Sequence, residues 1–213
     1  MIDYNNVMFN RFVNLDSIEE RIINYLMNSK DVDAERLWKL LRYNDINALN
    51  YDNLTREEKS KLIYRGEESQ SDDKRVFMQS YLEDKFVVQC SLMKIYVDSV
   101  VPTNHLLSIV NVGIDLMSHN KTQIVISDSF DELENPDTYR PIEENVIYKN
   151  RNTLMLKCLL SVLNGATVEG VGQLQFNQQL SVFSQSRSGI FDNRQYNGSK
   201  NIISVNMSGV GLR

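Results

Sequence analysis

The sequence predicts an α+β fold, in which N-terminal helices precede a mainly antiparallel sheet packed against a buried helix. Three observations support this prediction. Apolar residues recur at helical spacing up to about residue 66, and they alternate at a spacing of two from about residue 85. A third stretch, about Asn150–Asn164, is apolar on nearly every side, which is typical of a helix buried against a sheet. Helices followed by strands in this order indicate the α+β class.

The stretch Asn104–Asn120 is predicted to be the central strand. Its even positions are apolar except at Ser108, and this alternation predicts that the even face points into the core. The preceding stretch, Lys85–Asp98, also has the apolar pattern of a strand, and Pro102 in the link between them suits a turn. We therefore expect the two strands to form an antiparallel hairpin.

Three helices are predicted in the N-terminal part. Asp16 and Glu19 form a pair similar to a capping box before the first helix, whose apolar residues fall on one face. The second helix covers about Asp33–Tyr43, and the third begins with a capping box between Thr55 and Glu58. Ordinary helix packing is the favoured interpretation of the apolar faces. A docking surface for a partner subunit is the alternative.

A charged and polar stretch, Glu67–Lys74, is the predicted internal boundary. It separates an N-terminal arm and helical region, residues 1–66, from a β-rich domain, residues 75–213. Residues 1–15 are predicted to be an arm that either orders on a partner or packs over the body of the protein. Near Leu92–Met93 the apolar positions change from even to odd, which predicts a β-bulge there.

The second half of the chain combines a surface loop with elements of the core. Asp128–Glu144 is acidic, and we interpret it as a solvated loop rather than a cation site, because the spacing of a calcium loop is absent. Strands are predicted at Gly170–Phe176 and Asn201–Met207. The predicted core consists of Leu106, Val110, Val112, Ile114, Leu116, Leu156, Leu160, Leu174 and Val205.

Composition and charge argue against some classes of function. The net charge is −5 and the pI is about 5.2, so a protein that holds nucleic acid by neutralising phosphates is not expected. We expect no membrane span and no signal peptide, because the apolar runs are short and the N-terminus lacks a basic start. Cys90 and Cys158 lie in apolar segments and are predicted to be reduced core residues.

The sequence contains no recognisable catalytic motif, and we expect no enzyme activity, no cofactor and no required metal. Zinc-ligand spacing, phosphate-binding glycine loops and the nucleophile elbow are absent from the sequence. His119 lies between Ser118 and Asn120 like the histidine of a nuclease, but no set of metal ligands accompanies it. Asp115 interrupts the central strand, and we expect it on the outward face of an edge-accessible sheet.

The order of elements from residue 85 to residue 208 resembles that of a known family. The segments that carry the resemblance are SLMKIYVDSVVPTNHLLSIVNVGIDLMSHN, LMLKCLLSVLNG, VEGVGQLQF and YNGSKNIISVNM. This layout of hairpin, loop, buried helix and late strands resembles the neck, or head–tail connector, proteins of tailed bacteriophages. Among them it is most similar to the tail terminator, or tail completion, family. The resemblance implies a small α/β sandwich that forms a ring at the head–tail junction, and it transfers no catalytic residue.

The resemblance also implies the partners and the location. We expect a homo-oligomeric ring, a hexamer or a dodecamer, that contacts portal, adaptor or tail-tube proteins and transiently the passing DNA. The protein would be made in the bacterial cytoplasm and reside in the virion neck, without a membrane. The N-terminal helical region departs from minimal terminators, so an adaptor or stopper role stays open. A non-virion assembly factor or interaction module and a small nuclease-like enzyme are the alternative functions.

A long polar stretch, Asn177–Lys200, is predicted to contact a neighbouring subunit. It is longer than a hairpin turn, and it carries the aromatic and arginine residues that are enriched at protein interfaces. A surface loop without a partner is the alternative. The predicted interface residues are Arg187, Phe191, Arg194 and Tyr196, together with Phe9 and Phe12 of the N-terminal arm.

Overall fold

The computed structural model of the chain describes residues 15–66, 73–79, 89–103, 107–127, 147–182 and 195–208. Within them, the α-helices are α1 (Ile18–Asn28), α2 (Val32–Arg42), α3 (Arg56–Lys61) and α4 (Arg151–Leu163). Short 3-10 turns cover Leu15–Ser17, Ala48–Asn50 and Asn120–Thr122. The strands are β1 (Ile63–Tyr64), β2 (Val76–Phe77), β3 (Ser91–Pro102), β4 (Leu107–His119), β5 (Ile124–Ser127), β6 (Ile147–Asn150), β7 (Thr167–Val168), β8 (Gly172–Phe176) and β9 (Tyr196–Ser208).

The helix ends follow from local side-chain chemistry. Thr55 and Glu58 form the predicted capping box of α3: the Glu58 N–H donates to Thr55 Oγ1, and the Thr55 N–H donates to the Glu58 carboxylate. The helix α1 was predicted correctly, with Ile18, Ile22 and Leu26 on its buried face, but the predicted cap is wrong. Ser17, not Asp16, is its N-cap residue and makes no side-chain cap bond, because the chain enters α1 through a 3-10 turn that contains Asp16. None of the described helices is long and apolar enough to cross a membrane.

The strands confirm the α+β class. Within the described residues, one mixed sheet has the strand order β1-β2-β3-β4-β9-β8-β7, and β5 pairs with β6 in a separate two-stranded ribbon. The β1–β2 and β2–β3 pairs are parallel, and the other pairs are antiparallel. The predicted hairpin is confirmed as β3 and β4, and the prediction of a central strand is confirmed because β4 lies between β3 and β9.

The main core lies between the helices and one face of the sheet, called here the helical face. The even residues of β4 point into it as predicted, and α1, α2 and α4 supply the facing side chains. Leu156 and Leu160 were expected in this core but are only partly buried, because α4 turns its other face, with Met155 and Leu159, to the sheet. Leu106 lies outside the described residues. The same core takes side chains from both sides of the predicted boundary at residues 67–74.

Strand β3 buries both of its faces near its start, and this accounts for the change of apolar phase. Met93 and Ile95 point into the main core, whereas Cys90 and Leu92 belong to a second apolar cluster on the opposite face. The bulge predicted at Leu92–Met93 is therefore wrong at that position. The register instead shifts between Val97 and Ser99, so that Val97 and Val100 both pack against the main core.

A buried arginine ties α4 to the N-terminal helices. Arg151, at the first turn of α4, is fully buried, and its guanidinium donates to the carbonyl oxygens of Leu40, Tyr43, Asp45 and Thr122 at 2.6–2.9 Å. Burial lowers the pKa of Arg151 to about 10, which still leaves the side chain charged at neutral pH. Two of the acceptors lie at the C-terminal end of α2, where carbonyl dipoles favour a cation.

The two cysteines are buried and unbonded to each other, as predicted. Cys90 lies beside β3 in the second apolar cluster, and Cys158 lies in α4 within the main core. Their positions on opposite faces of the sheet keep them apart.

Candidate functional site

The face of the sheet opposite the helical face, called here the second face, is arranged in three zones. At one end is the second apolar cluster, which consists of Phe77, Cys90, Leu92, Met117 and Tyr196. Charged residues follow in the middle, and a zone of amides and hydroxyls follows toward the hairpin end. Period-two alternation brings these residues to one face, because β3, β4 and β9 lie side by side over their whole length.

The middle zone is a charged cluster of two lysines, two aspartates and a tyrosine. Lys94 on β3 lies directly opposite Asp115 on β4, and its Nζ is 2.9 Å from Asp115 Oδ2. Asp115 in turn lies opposite Lys200 on β9, which binds Asp98 at 2.5 Å. The Tyr96 hydroxyl lies 3.3 Å from both oxygens of Asp115. Each charge therefore has an opposite partner within the cluster.

The expectation for Asp115 is correct for the face, because Asp115 points away from the main core, but it is wrong for the exposure. It was placed on the outward face of an edge-accessible sheet, but its side chain is only 2% exposed, because β4 has a paired strand on each side. Burial raises the pKa of the Asp115 carboxyl, and the nearby Lys94 ammonium opposes that rise. Burial also raises the pKa of the Tyr96 hydroxyl, and the Asp115 charge adds to the effect. Tyr96 is therefore a hydrogen-bond donor and not a phenolate at neutral pH.

Gly113 positions the ring of Tyr96. The two residues lie opposite each other on β4 and β3, and a Cβ added at Gly113 would come within 2.7 Å of the Tyr96 ring. The ring therefore lies across the glycine, where Lys94 and Lys200 also approach it, with their ammonium groups 5.9 and 5.8 Å from its centroid.

The third zone is a chain of neutral hydrogen bonds across four segments. Asn111 donates to Ser99 Oγ at 3.0 Å and accepts from Ser204 Oγ at 2.7 Å, and Asn177 donates to the same Ser204 oxygen at 3.1 Å. These bonds connect β3, β4 and β9 with the segment after β8. The polar groups of the charged cluster and of this hydrogen-bonded zone have their partners within the protein. Their chemistry therefore suits a rigid surface better than proton transfer.

An exposed apolar patch, called here the ribbon patch, lies on the β5–β6 ribbon and the turn beside it. Tyr148 is 61% exposed and Ile124 is 56% exposed, both on the outer side of the ribbon. Ile46 is 40% exposed, and its carbonyl accepts the Ile126 N–H at 2.8 Å, which fixes the turn against β5. Tyr51 is 43% exposed and stacks on Tyr43 at a centroid distance of 4.0 Å.

The ribbon patch was not predicted from the sequence. The apolar run at residues 124–126 is visible there, but its inner residue Val125 is fully buried, whereas Ile124 is exposed. The pairing of Ile126 with Tyr148 brings together residues on either side of the acidic stretch. The sequence signal that was available is the short apolar run of Ile124, Val125 and Ile126, which indicates a strand but does not show which of its faces is exposed.

Five of the six predicted interface residues, Arg187, Phe191, Arg194, Phe9 and Phe12, lie outside the described residues. Tyr196 lies at the start of β9, buried in the second apolar cluster, and not in a loop. Its ring meets the His119 ring edge-on at 5.5 Å, and burial raises the pKa of its hydroxyl. The stretch predicted as one loop, Asn177–Lys200, is also structured at both ends, because Val182 bridges to Lys200 along the edge of β9 that pairs with β8.

His119 has a structural environment. It is buried, and its Nδ1 accepts the Lys121 N–H at 3.1 Å, so that the side chain caps the 3-10 turn after β4. Among the residues that the structure describes, no group of three or more His, Cys, Asp or Glu side chains is placed to hold a metal ion.

A cleft of about 410 Å³ lies between α1 and the β7–β8 turn. Asn24 and Asn28 line it together with Arg21, which donates to the Glu169 carbonyl at 3.1 Å and covers Gly170. The cleft thus offers amides and a guanidinium that already has a protein acceptor. Its described lining suits a polar contact.

Comparison with known proteins gives no relative: no family model, no curated protein and no solved structure matches the chain.

Proposed function

We propose that the chain is a structural subunit that assembles with copies of itself into a ring at the head–tail junction of a tailed bacteriophage. The ring belongs to the neck, as a tail terminator or connector, and DNA passes through it. Neighbouring portal, adaptor or tail-tube proteins are its other partners. The proposal starts from the layout of residues 85–208, which resembles that of tail terminator proteins.

The ribbon patch is the observation that carries the proposal. Tyr148, Ile124, Ile46 and Tyr51 are large apolar side chains, and each exposes about two fifths or more of its surface on the ribbon or on the segment beside it. Contiguous exposed apolar side chains mark surfaces that bind other protein chains. Aromatic residues are also enriched in such interfaces, and here two of the four are tyrosines.

A second copy of the chain is the occupant that we propose for the ribbon patch. A patch that binds a different surface of an identical neighbour makes a head-to-tail contact, and repetition of that contact closes a ring when the rotation allows it. The rigid second face, with its paired charges and hydrogen-bonded amides, would hold the subunit in a fixed shape within such a ring. The net charge of −5 suits a wall that lets DNA pass without binding it.

The test is the mass of the assembly and the effect of charge in the ribbon patch. Purified wild-type protein should sediment as an oligomer and appear as rings by negative-stain electron microscopy. The double variant Ile124→Lys with Tyr148→Lys should remain folded, because both side chains point to solvent, and should sediment as a smaller species. Circular dichroism and thermal melting establish that the variant is folded.

Val32→Lys is the matched control. Val32 is 65% exposed, more than either patch residue, and it begins α2, whose opposite end leads to the ribbon patch. This variant should assemble like the wild type. Monomeric wild-type protein at every concentration reached would contradict the ring, whereas rings formed by the double variant would leave the ring intact and exclude the patch as its contact.

A further inference from the structure

Three buried polar side chains lie close together on the helical face without a hydrogen-bond partner for one atom each. They are Ser91 on β3, Ser118 on β4 and Asn152 on α4, called here the serine–asparagine site. Among the described residues, Ser91 Oγ, Ser118 Oγ and Asn152 Oδ1 have no protein partner. All three residues are more than nine-tenths buried. Buried polar atoms in native proteins almost always have a partner, either from the protein or from ordered water.

The register of the sheet brings the two serines together. Ser91 and Ser118 are directly opposite in the β3–β4 pair, and both point to the helical face. The His119 N–H donates to the Cys90 carbonyl at 3.0 Å, so the next pair, Ser91 and Ser118, does not exchange backbone hydrogen bonds. In such a pair the Cα atoms are only about 4.5 Å apart and the side chains are close. Their hydroxyls nevertheless do not bond each other.

Asn152 reaches the same place from α4. Its Nδ2 donates to the Asn197 carbonyl at 3.0 Å, and Asn197 is the partner of Ser118 in the β4–β9 pair. The amide of Asn152 is therefore anchored one strand away from Ser118. That anchoring holds the amide at the register position of Ser118, where its Oδ1 is an acceptor and the two serine hydroxyls can each donate or accept.

We infer that the serine–asparagine site binds one ordered water molecule that connects β3, β4 and α4. A water can donate to Asn152 Oδ1 and to one serine while it accepts from the other, and about three hydrogen bonds are typical of a buried water. The three groups carry no charge, whereas hard cations in proteins are usually bound with carboxylate ligands. Water is therefore the ligand whose chemistry matches these donors and acceptors.

The bound water would act as a positioning element for α4. Asn152 follows Arg151, whose guanidinium binds four backbone carbonyls on the other side of the helix start. The first turn of α4 would then be held to the N-terminal helices by the arginine, to β9 by the direct bond from Asn152 and to β3 and β4 by the water. This role concerns the fold alone and is independent of the proposed ring.

The first experiment is a crystal structure at a resolution that shows ordered solvent. We expect one water within hydrogen-bond distance of Ser91 Oγ, Ser118 Oγ and Asn152 Oδ1. A direct bond between the two hydroxyls, or a site that holds no density, would overturn the inference whatever the other measurements show.

The second experiment compares the melting temperatures of Ser91→Ala and Ser118→Ala with that of the wild type. If water binds, each variant removes one of its partners and the melting temperature falls. If no water binds and the hydroxyls have no hydrogen-bond partner, their removal eliminates the free-energy cost of burying an unsatisfied polar group. The melting temperature then stays the same or rises, which overturns the inference. Thr103→Ala, which alters an exposed residue, is the control and should melt like the wild type.

Melting in potassium chloride, calcium chloride and choline chloride at equal ionic strength distinguishes water from a cation. A water site predicts the same shift for Ser118→Ala in each salt. A melting temperature of the wild type that depends on the cation, together with a loss of that dependence in Ser118→Ala, would assign the site to a metal ion and overturn the inference.

Discussion

Asp115 shows how position within a sheet decides what a charged residue does. On a strand with a free edge its carboxylate would meet water, but on β4 it lies between Lys94 and Lys200 and beneath the Tyr96 hydroxyl. Removing an ion pair from water costs more than the attraction returns unless hydrogen bonds complete it. Here the tyrosine supplies that hydrogen bond, and the raised pKa of Asp115 reflects the remaining cost of burial.

The raised pKa of Asp115 predicts how stability depends on pH. In the unfolded chain an aspartate titrates at about pH 3.9, and in the folded chain Asp115 titrates at a higher pH. Folding therefore favours the protonated form of Asp115. The contribution of this preference to the unfolding free energy is complete below the pKa of the unfolded chain, and it is lost as the pH rises through the pKa of the folded chain. The unfolding free energy of the wild type relative to Asp115→Asn should therefore be highest in acid and fall toward neutral pH.

Urea unfolding of the two proteins at a series of pH values measures this difference. Asp115→Asn cannot titrate, so the other carboxyl groups cancel in the comparison. If the unfolding free energy of the wild type relative to Asp115→Asn instead increases with pH, the attraction of Lys94 outweighs burial and the pKa of Asp115 is lowered in the folded chain.

Arg151 is expected to be the most sensitive charged residue in the main core. Arg151→Met should lower the unfolding free energy by about 3 kcal/mol or more, because four buried or partly buried carbonyls lose hydrogen bonds worth about 1 kcal/mol each. Chemical denaturation measures the loss. The control is Ser161→Ala on the exposed side of the same helix, which should change stability by less than about 0.5 kcal/mol. Equal effects of the two variants would contradict the role of the guanidinium.

At the scale of single residues, the sequence predicted well which apolar residues are buried and predicted poorly which contacts the polar residues make. Val110, Val112, Ile114 and Leu116 were assigned to the core correctly, because alternation is a local property of one strand. The acceptors of Arg151 lie 29 to 111 residues away along the chain. No local pattern in the sequence contains such partners.

At the scale of elements, the capping box of α3 was predicted and the cap of α1 was not. The Thr55–Glu58 pair satisfies two backbone N–H groups reciprocally, so sequence spacing alone is sufficient evidence for it. The Asp16–Glu19 pair has the same spacing, but the 3-10 turn before α1 moves the cap to Ser17. The conformation of the preceding residues decides such cases.

Thr55→Ala is predicted to destabilise the protein by about 1 kcal/mol, because α3 is short and its first turn depends on this cap. Thermal and urea unfolding measure the change. Thr55→Ser keeps the hydroxyl and serves as the control, with stability close to that of the wild type. A Thr55→Ala protein as stable as the Thr55→Ser protein would show that water satisfies the N-terminal N–H groups of α3 equally well.

The position of the bulge in β3 shows why strand irregularities are difficult to predict. The change of apolar phase at Leu92–Met93 is real, but it comes from a second apolar cluster that covers the opposite face. The true bulge near Asp98 changes the core-facing positions of β3 from odd to even, and only Val100 follows it in the main core, so the sequence shows this change weakly. The carboxylate of Asp98 is directed by this bulge toward Lys200.

At the scale of the whole molecule, the main core depends on the face assignment of β4. Ile114→Asp would bury an unpaired charge in the fully buried centre of the sheet, and we expect a loss of about 4 kcal/mol or more and no soluble folded protein. Solubility and near-ultraviolet circular dichroism measure the outcome. Gln175→Asp, at an exposed position of β8, should remain soluble and folded. A soluble Ile114→Asp variant with unchanged melting would mean that the assigned face is inverted.

The class of fold was predictable from the sequence, because it depends on the order of periodic segments. The ribbon patch was not predictable in this way. Which side of β5 is exposed depends on where α2, the following turn and β6 come together, and those contacts join distant parts of the chain. The interface prediction used composition and fell mostly on residues outside the described part of the chain.

The place of β9 within the sheet has a consequence during synthesis on the ribosome. β9 comes last among the described strands, yet it pairs with β4 along the middle of the sheet, about 90 residues earlier in the chain. Until residue 208 has emerged, the β3–β4 hairpin has one uncovered strand edge and β8 lacks its neighbour. Such long-range pairing makes folding slow and exposes the waiting strand to pairing with other nascent chains. On polysomes, where many copies grow side by side, chaperones that bind extended apolar segments would therefore be expected to engage β4 before release.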